Sequence, residues 1–312
     1  MTRDDVIDAA RRIHGLVERT PLIKSEVGGM RVWLKCECLQ TGGAFKLRGA
    51  SNRLLQLSPE ERQRGVVAFS SGNHARGVAI AARRLGMRAI IVMPSDAPQV
   101  KVDGTRSEGA EIVLYDRRTE SREEIAARIS QETGATVVPS FDDPAIVAGQ
   151  GTAGLEIVEQ LGRSPKRIVV PCGGGGLASG IALAVPEAEM VVVEPEGWDD
   201  MARSLEGGAI VPVEANAPET FCDAIMTPRV SPITFGILRD RKAKGVSVTD
   251  SEVEDAIRFA WEKHGLVVEP GASVALAALL AGKVPPMEDT VVVVSGGNID
   301  PALHARIIGQ AA

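Results

Sequence analysis

A single lysine, Lys46, lies among small residues in segment 41–50 (TGGAFKLRGA), just after a predicted short strand and at the start of a predicted helix. A lysine in a dry pocket of small residues is less stable in its charged form, because burial disfavours the ammonium ion. Such an amine is a better nucleophile and base near neutral pH, so Lys46 could attack a carbonyl carbon or move a proton. A solvated surface lysine is the alternative, and the other motifs of the chain decide between the two.

A second candidate segment is 66–77 (VVAFSSGNHARG), which predicts a strand, a short turn and a helix. The turn consists of Ser70, Ser71, Gly72, Asn73 and His74. Small residues at the beginning of a helix expose backbone N–H groups, which favours the binding of an anion such as a carboxylate. A plain strand-to-helix turn with a serine or asparagine cap is the alternative.

A run of four glycines separates a predicted strand from a predicted helix in segment 169–182 (VVPCGGGGLASGIA). The glycines are Gly173, Gly174, Gly175 and Gly176. Glycine permits positive φ angles and a close approach of the backbone, and the helix dipole favours a phosphate group. The spacing matches neither a dinucleotide-binding fold nor an ATP-binding loop. It favours a cofactor with a single phosphate over ATP or NAD, with a merely flexible loop as the alternative.

Two further strand ends carry polar side chains. Segment 290–300 (TVVVVSGGNID) ends a buried strand in Ser295, whose hydroxyl would face the crevice of the sheet, although a simple turn has the same pattern. Segment 191–200 (VVVEPEGWDD) places Glu194 at a strand end, with Asp199 and Asp200 a short turn later. Carboxylates and loop carbonyls bind hard cations such as Mg²⁺ or Ca²⁺. A solvated acidic loop is the alternative there.

The cysteines and the other histidines provide no metal or disulfide pattern. The cysteines are Cys36, Cys38, Cys172 and Cys222. Their spacing fits neither a disulfide framework nor a zinc site, which predicts reduced, structural thiols. Of the four histidines, only His74 lies inside a motif.

The composition is that of a globular protein with an acidic balance. Of 312 residues, 44% are hydrophobic, 24% charged and 3% aromatic, and the net charge is −6. The acidity argues against electrostatic binding of nucleic acid or an anionic membrane, and the few aromatics argue against base stacking. No apolar run approaches the length of a membrane span, and the N-terminus lacks an apolar signal-peptide core. We therefore expect a cytoplasmic protein that binds neither nucleic acid nor membrane.

Short β-branched runs alternate with longer amphipathic segments along the chain. The predicted strands are 32–35, 66–70, 89–93, 111–115, 167–171, 190–194 and 290–295. Most are nearly continuous apolar runs, as expected for strands buried on both faces. Segment 250–265 predicts an amphipathic helix that begins at a cap formed by Asp250 and Ser251. The alternation predicts an α/β fold with mostly parallel sheets covered by helices.

The predicted strands fall into two groups, separated by a polar stretch at 139–151 (PSFDDPAIVAGQG). This predicts a small domain of residues 64–139, inserted into a large domain of residues 1–63 and 140–312. In such sheets ligands bind at the carboxyl ends of the strands or between domains, where the motifs lie.

Over nearly its whole length the chain resembles fold-type II pyridoxal-phosphate enzymes, which have the tryptophan synthase β-like fold. The resemblance rests, in order, on KCECLQTGGAFKLRGA, SSGNHARG, FDDPAIVAGQGT, PCGGGGLASG, VVVEP, VEPGA and VSGGNID. Within these enzymes the chain is most similar to the threonine/serine dehydratase and serine racemase branch. The resemblance implies a large domain that binds the cofactor, a small domain that closes over the substrate, and a homodimer.

The resemblance also implies roles for the residues that bind the cofactor. Lys46 matches the lysine that binds pyridoxal 5′-phosphate covalently and moves the Cα proton, and Phe45 matches the residue that packs against the ring. Asn73 matches the amide that contacts the 3′ oxygen of the ring. The glycine run, with Leu177, matches the phosphate loop. Ser295 matches the partner of the pyridine nitrogen.

The remaining implied roles concern the substrate and a cation. Ser70, Ser71, Gly72 and His74 match the loop that receives the substrate carboxylate, and Ser71 also matches the opposite-face acid/base of the racemases. The site for a divalent cation, Mg²⁺ or Ca²⁺, corresponds to Glu194, the carbonyl of Trp198, and Asp200. Regulation by isoleucine is not expected, because the chain ends about where the catalytic core of these enzymes ends.

The expected activity is β-elimination from a small hydroxy amino acid, which gives a 2-oxo acid and ammonia. The candidate substrates are L-serine, L-threonine and threo-3-hydroxyaspartate. Ala44 replaces the serine that is common two residues before the lysine, and this variant resembles hydroxyaspartate dehydratase sequences. Ala224 stands where a glycine is frequent and could narrow the pocket. A serine racemase on the same scaffold is the alternative, because Ser71 is compatible with both reactions.

Overall fold

The computed structural model describes residues 1–70, 72–97 and 99–309. The helices are α1 (Arg3–Arg12), α2 (Lys46–Leu55), α3 (Pro59–Arg64), α4 (Asn73–Arg84), α5 (Gln99–Arg106), α6 (Arg122–Thr133), α7 (Pro144–Leu161), α8 (Gly176–Ala184), α9 (Asp200–Gly207), α10 (Pro232–Asp240), α11 (Asp250–His264), α12 (Pro270–Leu280) and α13 (Pro301–Ile307). Short 3-10 helices cover Glu37–Leu39, Thr41–Gly43 and Asp223–Ile225. Within these described ranges, no helix is both long and apolar enough to cross a membrane.

The strands form two sheets. They are β1 (Leu22–Val27), β2 (Met30–Cys36), β3 (Val66–Phe69), β4 (Ala89–Pro94), β5 (Glu111–Tyr115), β6 (Thr136–Val137), β7 (Arg167–Pro171), β8 (Glu189–Pro195), β9 (Lys244–Val248) and β10 (Thr290–Val294). The first sheet has the order β1-β2-β10-β7-β8-β9, in which only β1 pairs antiparallel. The second has the order β5-β4-β3-β6 and is parallel throughout. The predicted α/β fold is confirmed.

Each of the seven predicted strands is present, but β1, β6 and β9 were missed. These three are all edge strands. β1 and β9 are only partly buried, and β6 has two residues, so they lack the continuous apolar runs that identify interior strands. A single buried face or a short length leaves a weak signal in the sequence.

The predicted cap of α11 was wrong by one residue. The cap is Thr249, whose hydroxyl accepts a hydrogen bond from the backbone N–H of Glu252, while the Glu252 side chain accepts one from the N–H of Thr249. This reciprocal pair satisfies two backbone donors at the helix start, which Asp250 and Ser251 inside the first turn cannot do.

The cores lie on the faces of the two sheets. Alternate residues of β10 enter different clusters: Val292 packs with the helices α11 and α12, and Val291 packs with α8. Every strand of the second sheet falls within the segment 64–139, for which the sequence predicts a small domain. Leu47 and Leu54 of α2 pack into the core of that sheet. Helix α2 therefore connects the second sheet to the rest of the chain, and the domain boundaries stay a prediction.

The other side of α2 is fixed by a buried group of charges, here called the Arg48 cluster: Lys35, Glu37, Arg48 and Glu156. The guanidinium of Arg48 donates to both carboxylate oxygens of Glu37 at 2.8 Å. It also donates to both oxygens of Glu156, at 2.7 and 2.9 Å. Lys35 donates to Glu156 at 2.5 Å, so two cations balance two anions. The cluster ties α2 to β2 and α7 through groups that are almost fully buried.

We expect Arg48→Ala to destabilise the protein by about 3–5 kcal/mol, because it leaves two carboxylates buried without their main partner. The change is measured as the free energy of unfolding in urea. Arg88→Ala is the matched control, since its ion pair with Glu111 is half-exposed and should contribute about 0–1 kcal/mol. Equal losses in the two variants would contradict the role given to the Arg48 cluster.

Candidate active site

The described residues that were predicted to bind the cofactor and the substrate carboxylate meet in one cavity of about 520 Å³. It lies at the carboxyl ends of β3, β7 and β10 and at the starts of α2, α4 and α8. Its lining includes Phe45, Lys46, Ser70, Gly72, Asn73, His74, Gly173, Gly174, Gly175, Gly176, Leu177 and Ser295. Ser71, the other residue of the predicted substrate loop, lies outside the described residues. The expectation that these segments converge at the strand ends is met for the residues that the structure describes.

Lys46 is the first residue of α2, and its amine faces the cavity. Its Nζ donates a hydrogen bond to the carbonyl of Ser140 at 3.0 Å and lies 5.1 Å from the centre of the Phe45 ring. Burial lowers the pKa of Lys46 to about 8, although the nearby carboxylate of Glu269 acts in the opposite direction. A substantial fraction of the amine is therefore uncharged near neutral pH, as required of a nucleophile or base.

The glycine run connects β7 to α8, with Gly175 as the helix cap at φ = +83°. A Cβ atom on Gly174 would lie 2.3 Å from the ring of Phe141, and one on Gly176 would lie 2.6 Å from Oε1 of Gln150. Side chains cannot be accommodated at these positions without displacing neighbours. The backbone is therefore exposed to the cavity next to the N-terminus of α8, where unpaired N–H groups and the helix dipole favour an anion.

Asn73 is held by hydrogen bonds at both ends of its amide. Its Nδ2 donates to Oε1 of Glu269 at 2.5 Å, and its Oδ1 accepts from Nδ2 of Asn298 at 2.7 Å. Asn298 also donates to the carbonyl of Gly42 at 2.8 Å. The start of α4 is thus linked through side chains to the segments that precede α2 and follow β10.

His74 is buried and neutral. Burial, followed by the charge of Lys46, lowers its pKa to about 3. Its Nε2 lies 2.9 Å from the carbonyl of Val138, and because a carbonyl only accepts, Nε2 must carry the proton. The other ring nitrogen has no hydrogen-bond partner among the residues described. Nδ1 is therefore an acceptor with no donor among the residues that the structure describes.

Ser295 lies at the end of β10, next to the start of α2. Its carbonyl accepts a hydrogen bond from the backbone N–H of Phe45 at 3.2 Å, and Ala44 forms a β-bridge with Gly296. These contacts fix Lys46 relative to Ser295, and both side chains line the cavity. Ala44 is buried in this bridge, so the position adds no hydroxyl to the site.

The predicted cation residues lie outside the cavity, around the start of α9. The carboxylate of Glu194 accepts hydrogen bonds from the backbone N–H groups of Met201 at 3.0 Å and Ala202 at 2.8 Å. One oxygen of Asp200 accepts from the N–H of Val230 at 2.8 Å, and the other is buried without a partner in the described part of the chain. Trp198 lies in the turn between them, where its indole N–H donates to the carbonyl of Pro218 at 2.8 Å.

Burial raises the pKa of both carboxyl groups near the start of α9. Burial raises the pKa of Glu194 well above its usual value, and the charge of Asp200 adds to this effect. Burial raises the pKa of Asp200 to about 6. Over the ranges 1–70, 72–97 and 99–309, no group of three or more His, Cys, Asp or Glu side chains is arranged to hold a metal ion.

Glu269 is a site residue for which no role was predicted from the sequence. It is the cap of α12, 3% exposed, and lines the cavity beside Lys46. Burial raises its pKa to about 7, which the hydrogen bond from Asn73 partly opposes. The Pro270 that follows marks Glu269 as a helix cap in the sequence. Its contact with Asn73, 196 residues away, has no local signal.

Comparison with known proteins places this fold and site in one class. The sequence profile of the family described as "Pyridoxal-phosphate dependent enzyme" matches residues 13–296. The chain belongs to this family, and the predicted cofactor is thereby confirmed. Its cofactor, pyridoxal phosphate, is the molecule that the lysine, the glycine run and the strand-end serine were predicted to hold.

Individual relatives are similar over nearly the whole length of this chain. The chain is 42% identical to an L-threo-3-hydroxyaspartate ammonia-lyase from a Pseudomonas species, with 97% of each chain covered. It is 41% identical to an L-threonine ammonia-lyase from Thermotoga maritima, with 99% of this chain and 79% of the relative covered. Among solved structures, maize serine racemase superimposes with a TM-score of 0.91 at 35% identity, covering 99% of this chain and 97% of the maize chain. The predicted branch of the family is confirmed.

The lowered pKa of Lys46 predicts how its amine reacts in the cofactor-free protein. We expect acetylation by dilute acetic anhydride to reach half its maximal rate near pH 8, because only the uncharged amine reacts. The measurement is mass spectrometry of labelled peptides between pH 6 and 11. Exposed Lys166 in the same sample reports on the reagent. A rate at Lys46 that keeps increasing past about pH 10 would show that the amine is not desolvated.

Proposed function

We propose that this protein is a pyridoxal-phosphate-dependent ammonia-lyase that acts on a small hydroxy amino acid. The candidate substrates are L-serine, L-threonine and L-threo-3-hydroxyaspartate, and the products are the corresponding 2-oxo acid and ammonia. The observation that supports this most directly is the position of the Lys46 amine, in one cavity with the bare glycine loop and Ser295. The hydroxyaspartate and threonine ammonia-lyases at 42% and 41% identity support the same reaction.

The residues of the cavity fit the cofactor. Its phosphate would be held by the backbone of the glycine loop and Leu177, where a Cβ atom on Gly174 would collide with Phe141 at 2.3 Å. Its ring would pack beside Phe45, with Asn73 at the 3′ oxygen and the hydroxyl of Ser295 at the pyridine nitrogen. Lys46 would provide the covalent link. The fit rests on the exposed backbone of the loop and on the reactive amine of Lys46.

When bound, pyridoxal phosphate withdraws electrons from the Cα atom of an amino acid, so that its proton becomes acidic. The amine of Lys46 removes this proton, which its pKa of about 8 allows near neutral pH. The hydroxyl of Ser295, at the end of β10, is neutral. It would not protonate the pyridine nitrogen as a carboxylic acid would. A ring held in this way would withdraw electrons less strongly, which would favour loss of the β-hydroxyl as water over other reactions at Cα.

The turn before α4 would bind the carboxylate of the substrate. Ser70 and Gly72 line the cavity there, and the N–H groups at the start of α4 favour an anion. Neutral His74 carries no positive charge, so the attraction comes from the helix end. Lys46 comes from α2 and His74 from the segment of the predicted small domain, which supports closure of that domain over the substrate.

The experiment is a 2-oxo acid release assay with the purified holoenzyme and each of the three candidate substrates. We expect 2-oxo acid and ammonia in equal amounts from at least one of them. Lys46→Ala should lose the visible absorbance of the bound cofactor and at least about 10³-fold of the turnover. Lys166→Ala, a change at an exposed lysine, is the control and should retain both. Turnover by Lys46→Ala at the wild-type rate would refute the assignment.

Serine racemase is the second candidate, supported by the maize enzyme at a TM-score of 0.91 and by Ser71 in the sequence. Chiral chromatography of the same L-serine reactions distinguishes the two. D-serine formed without a matching amount of pyruvate would favour the racemase and exclude an enzyme that only eliminates.

We also propose that Glu194, Asp200 and the carbonyl of Trp198 bind Mg²⁺ or Ca²⁺. The supporting observation is the oxygen of Asp200 that is buried without a partner in the described residues. Carboxylate and carbonyl oxygens are the ligands that these cations prefer, and a bound cation would compensate two buried acids. The group would act on stability, because it lies outside the cavity.

After treatment with a chelator, 1 mM Mg²⁺ or Ca²⁺ should raise the melting temperature of the wild-type protein, because a ligand that binds only the folded state stabilises it. Asp200→Asn should abolish this increase. Asp199→Asn changes the neighbouring residue, which is outside the proposed set, and should preserve it. A wild-type melting temperature that does not respond to either ion would remove the cation from the proposal. The homodimer and the cytoplasmic location stay predictions.

A further inference from the structure

Glu269 is positioned to control the site, although it is not among the residues predicted to contact the cofactor. Its carboxylate accepts a hydrogen bond from the Asn73 amide at 2.5 Å, inside the cavity that Lys46 also lines. Its own backbone N–H donates to the carbonyl of Gly296 at 3.1 Å, next to Ser295. Through its carboxylate and its backbone N–H together, Glu269 thus joins the start of α12, the end of β10 and the start of α4.

Hydrogen bonds at both ends of the Asn73 side-chain amide fix its orientation. Its oxygen is engaged by Asn298, so Nδ2 must point to Glu269, and the second hydrogen of Nδ2 remains available to the cavity. A Cβ atom on Gly296 would lie 1.9 Å from Oε1 of Glu269, so glycine at this position leaves room for the contact. Without the carboxylate, the amide could rotate away from the ring position.

We propose that Glu269 is a positioning residue of this enzyme, which orients the Asn73 amide toward the cofactor ring and places a titratable negative charge beside Lys46. The proposal rests on the function proposed above, since it assumes that Asn73 contacts the ring. It adds a residue that sets the pH range in which the site works.

The electrostatic surroundings of Glu269 include groups from several elements. Lys46 of α2 and Lys101 of α5 favour its ionised form, while Asp223, in the 3-10 helix before α10, disfavours it. Cys222 is also close enough for the charge of Glu269 to raise its pKa. Burial has the largest effect on Glu269 and raises its pKa to about 7, so the carboxylate changes charge near neutral pH.

The signs of the expected effects follow from charge. An ionised Glu269 stabilises the ammonium form of Lys46, so its removal should lower the pKa of Lys46. Glu269→Gln keeps an oxygen that accepts the bond from Asn73 and removes only the charge. Glu269→Ala removes both.

The first test uses the cofactor-free protein and the acetylation of Lys46. In Glu269→Gln the pH of half-maximal labelling should be lower than in the wild type by at least about half a unit. Glu123→Gln is the control, an acid at the edge of the same cavity that pairs with Arg122, and should leave this pH unchanged. An unchanged value in Glu269→Gln would overturn the electrostatic part of the proposal.

The second test uses the holoenzyme. A plot of kcat/KM against pH should contain a step near pH 7 for the wild type that is absent for Glu269→Gln. The affinity of Glu269→Gln for pyridoxal phosphate should stay within about threefold of the wild-type affinity. Glu269→Ala should weaken this affinity about tenfold, and adding Asn73→Ala should weaken it no further than Asn73→Ala alone. Additive losses would overturn action through Asn73, and persistence of the step in Glu269→Gln would overturn the pH role.

A variant at another position distinguishes the proposed effect from misfolding of the proteins with substitutions at Glu269. Gly296→Ala should force the carboxylate away from Asn73 and weaken cofactor affinity about tenfold, with Glu269 itself intact. Normal affinity in Gly296→Ala would count against the proposal. If the wild type releases no 2-oxo acid from any substrate, the proposed function fails, whereas labelling of the cofactor-free protein still decides the electrostatic role of Glu269.

Discussion

The guanidinium of Arg48 lies buried between the carboxylates of Glu37 and Glu156, and the position of α2 depends on this contact. The helix begins at Lys46, two residues earlier, so the bidentate bonds that fix Arg48 also fix the turn that carries the reactive amine. Leu47, between them, packs into the core of the second sheet. A displacement of α2 would therefore disturb the position of the Lys46 amine, the second sheet and the contact with the end of β10 together.

The surroundings of the same helix explain why the flexible side chain of Lys46 has a reactive amine. The carbonyl of Ser140 and the ring of Phe45 hold the amine of Lys46 in the cavity, and burial keeps part of it uncharged. Opposite it, the carboxylate of Glu269 ionises near neutral pH because it too is buried. An acid and an amine with pKa values of about 7 and about 8 thus share one pocket, and each biases the charge of the other.

Hydrogen bonds between distant segments complete the site. Asn73 begins α4. Its side chain is connected through Glu269 to the segment that precedes β10 in the chain, and through Asn298 to the segment that follows β10. The glycine loop contributes its exposed backbone, which is possible because glycine has no side chain to cover it. Fixed donors and a bare backbone thus line one cavity, in which the exposed backbone of the glycine loop favours an anionic group.

The sequence by itself determined the fold class, the interior strands and a set of strand-end residues that line the cavity. Continuous apolar runs specify parallel strands, and small or polar residues at their carboxyl ends specify where ligands bind. It did not identify the edge strands β1, β6 and β9, whose partial burial or short length leaves no such run, or the true cap of α11. Only the tertiary structure revealed the roles of Glu269 and Ser140, because their contacts with Asn73 and Lys46 join residues 196 and 94 positions apart. Local composition reports the propensity of a segment, whereas burial and the pKa shifts it causes depend on which segments meet.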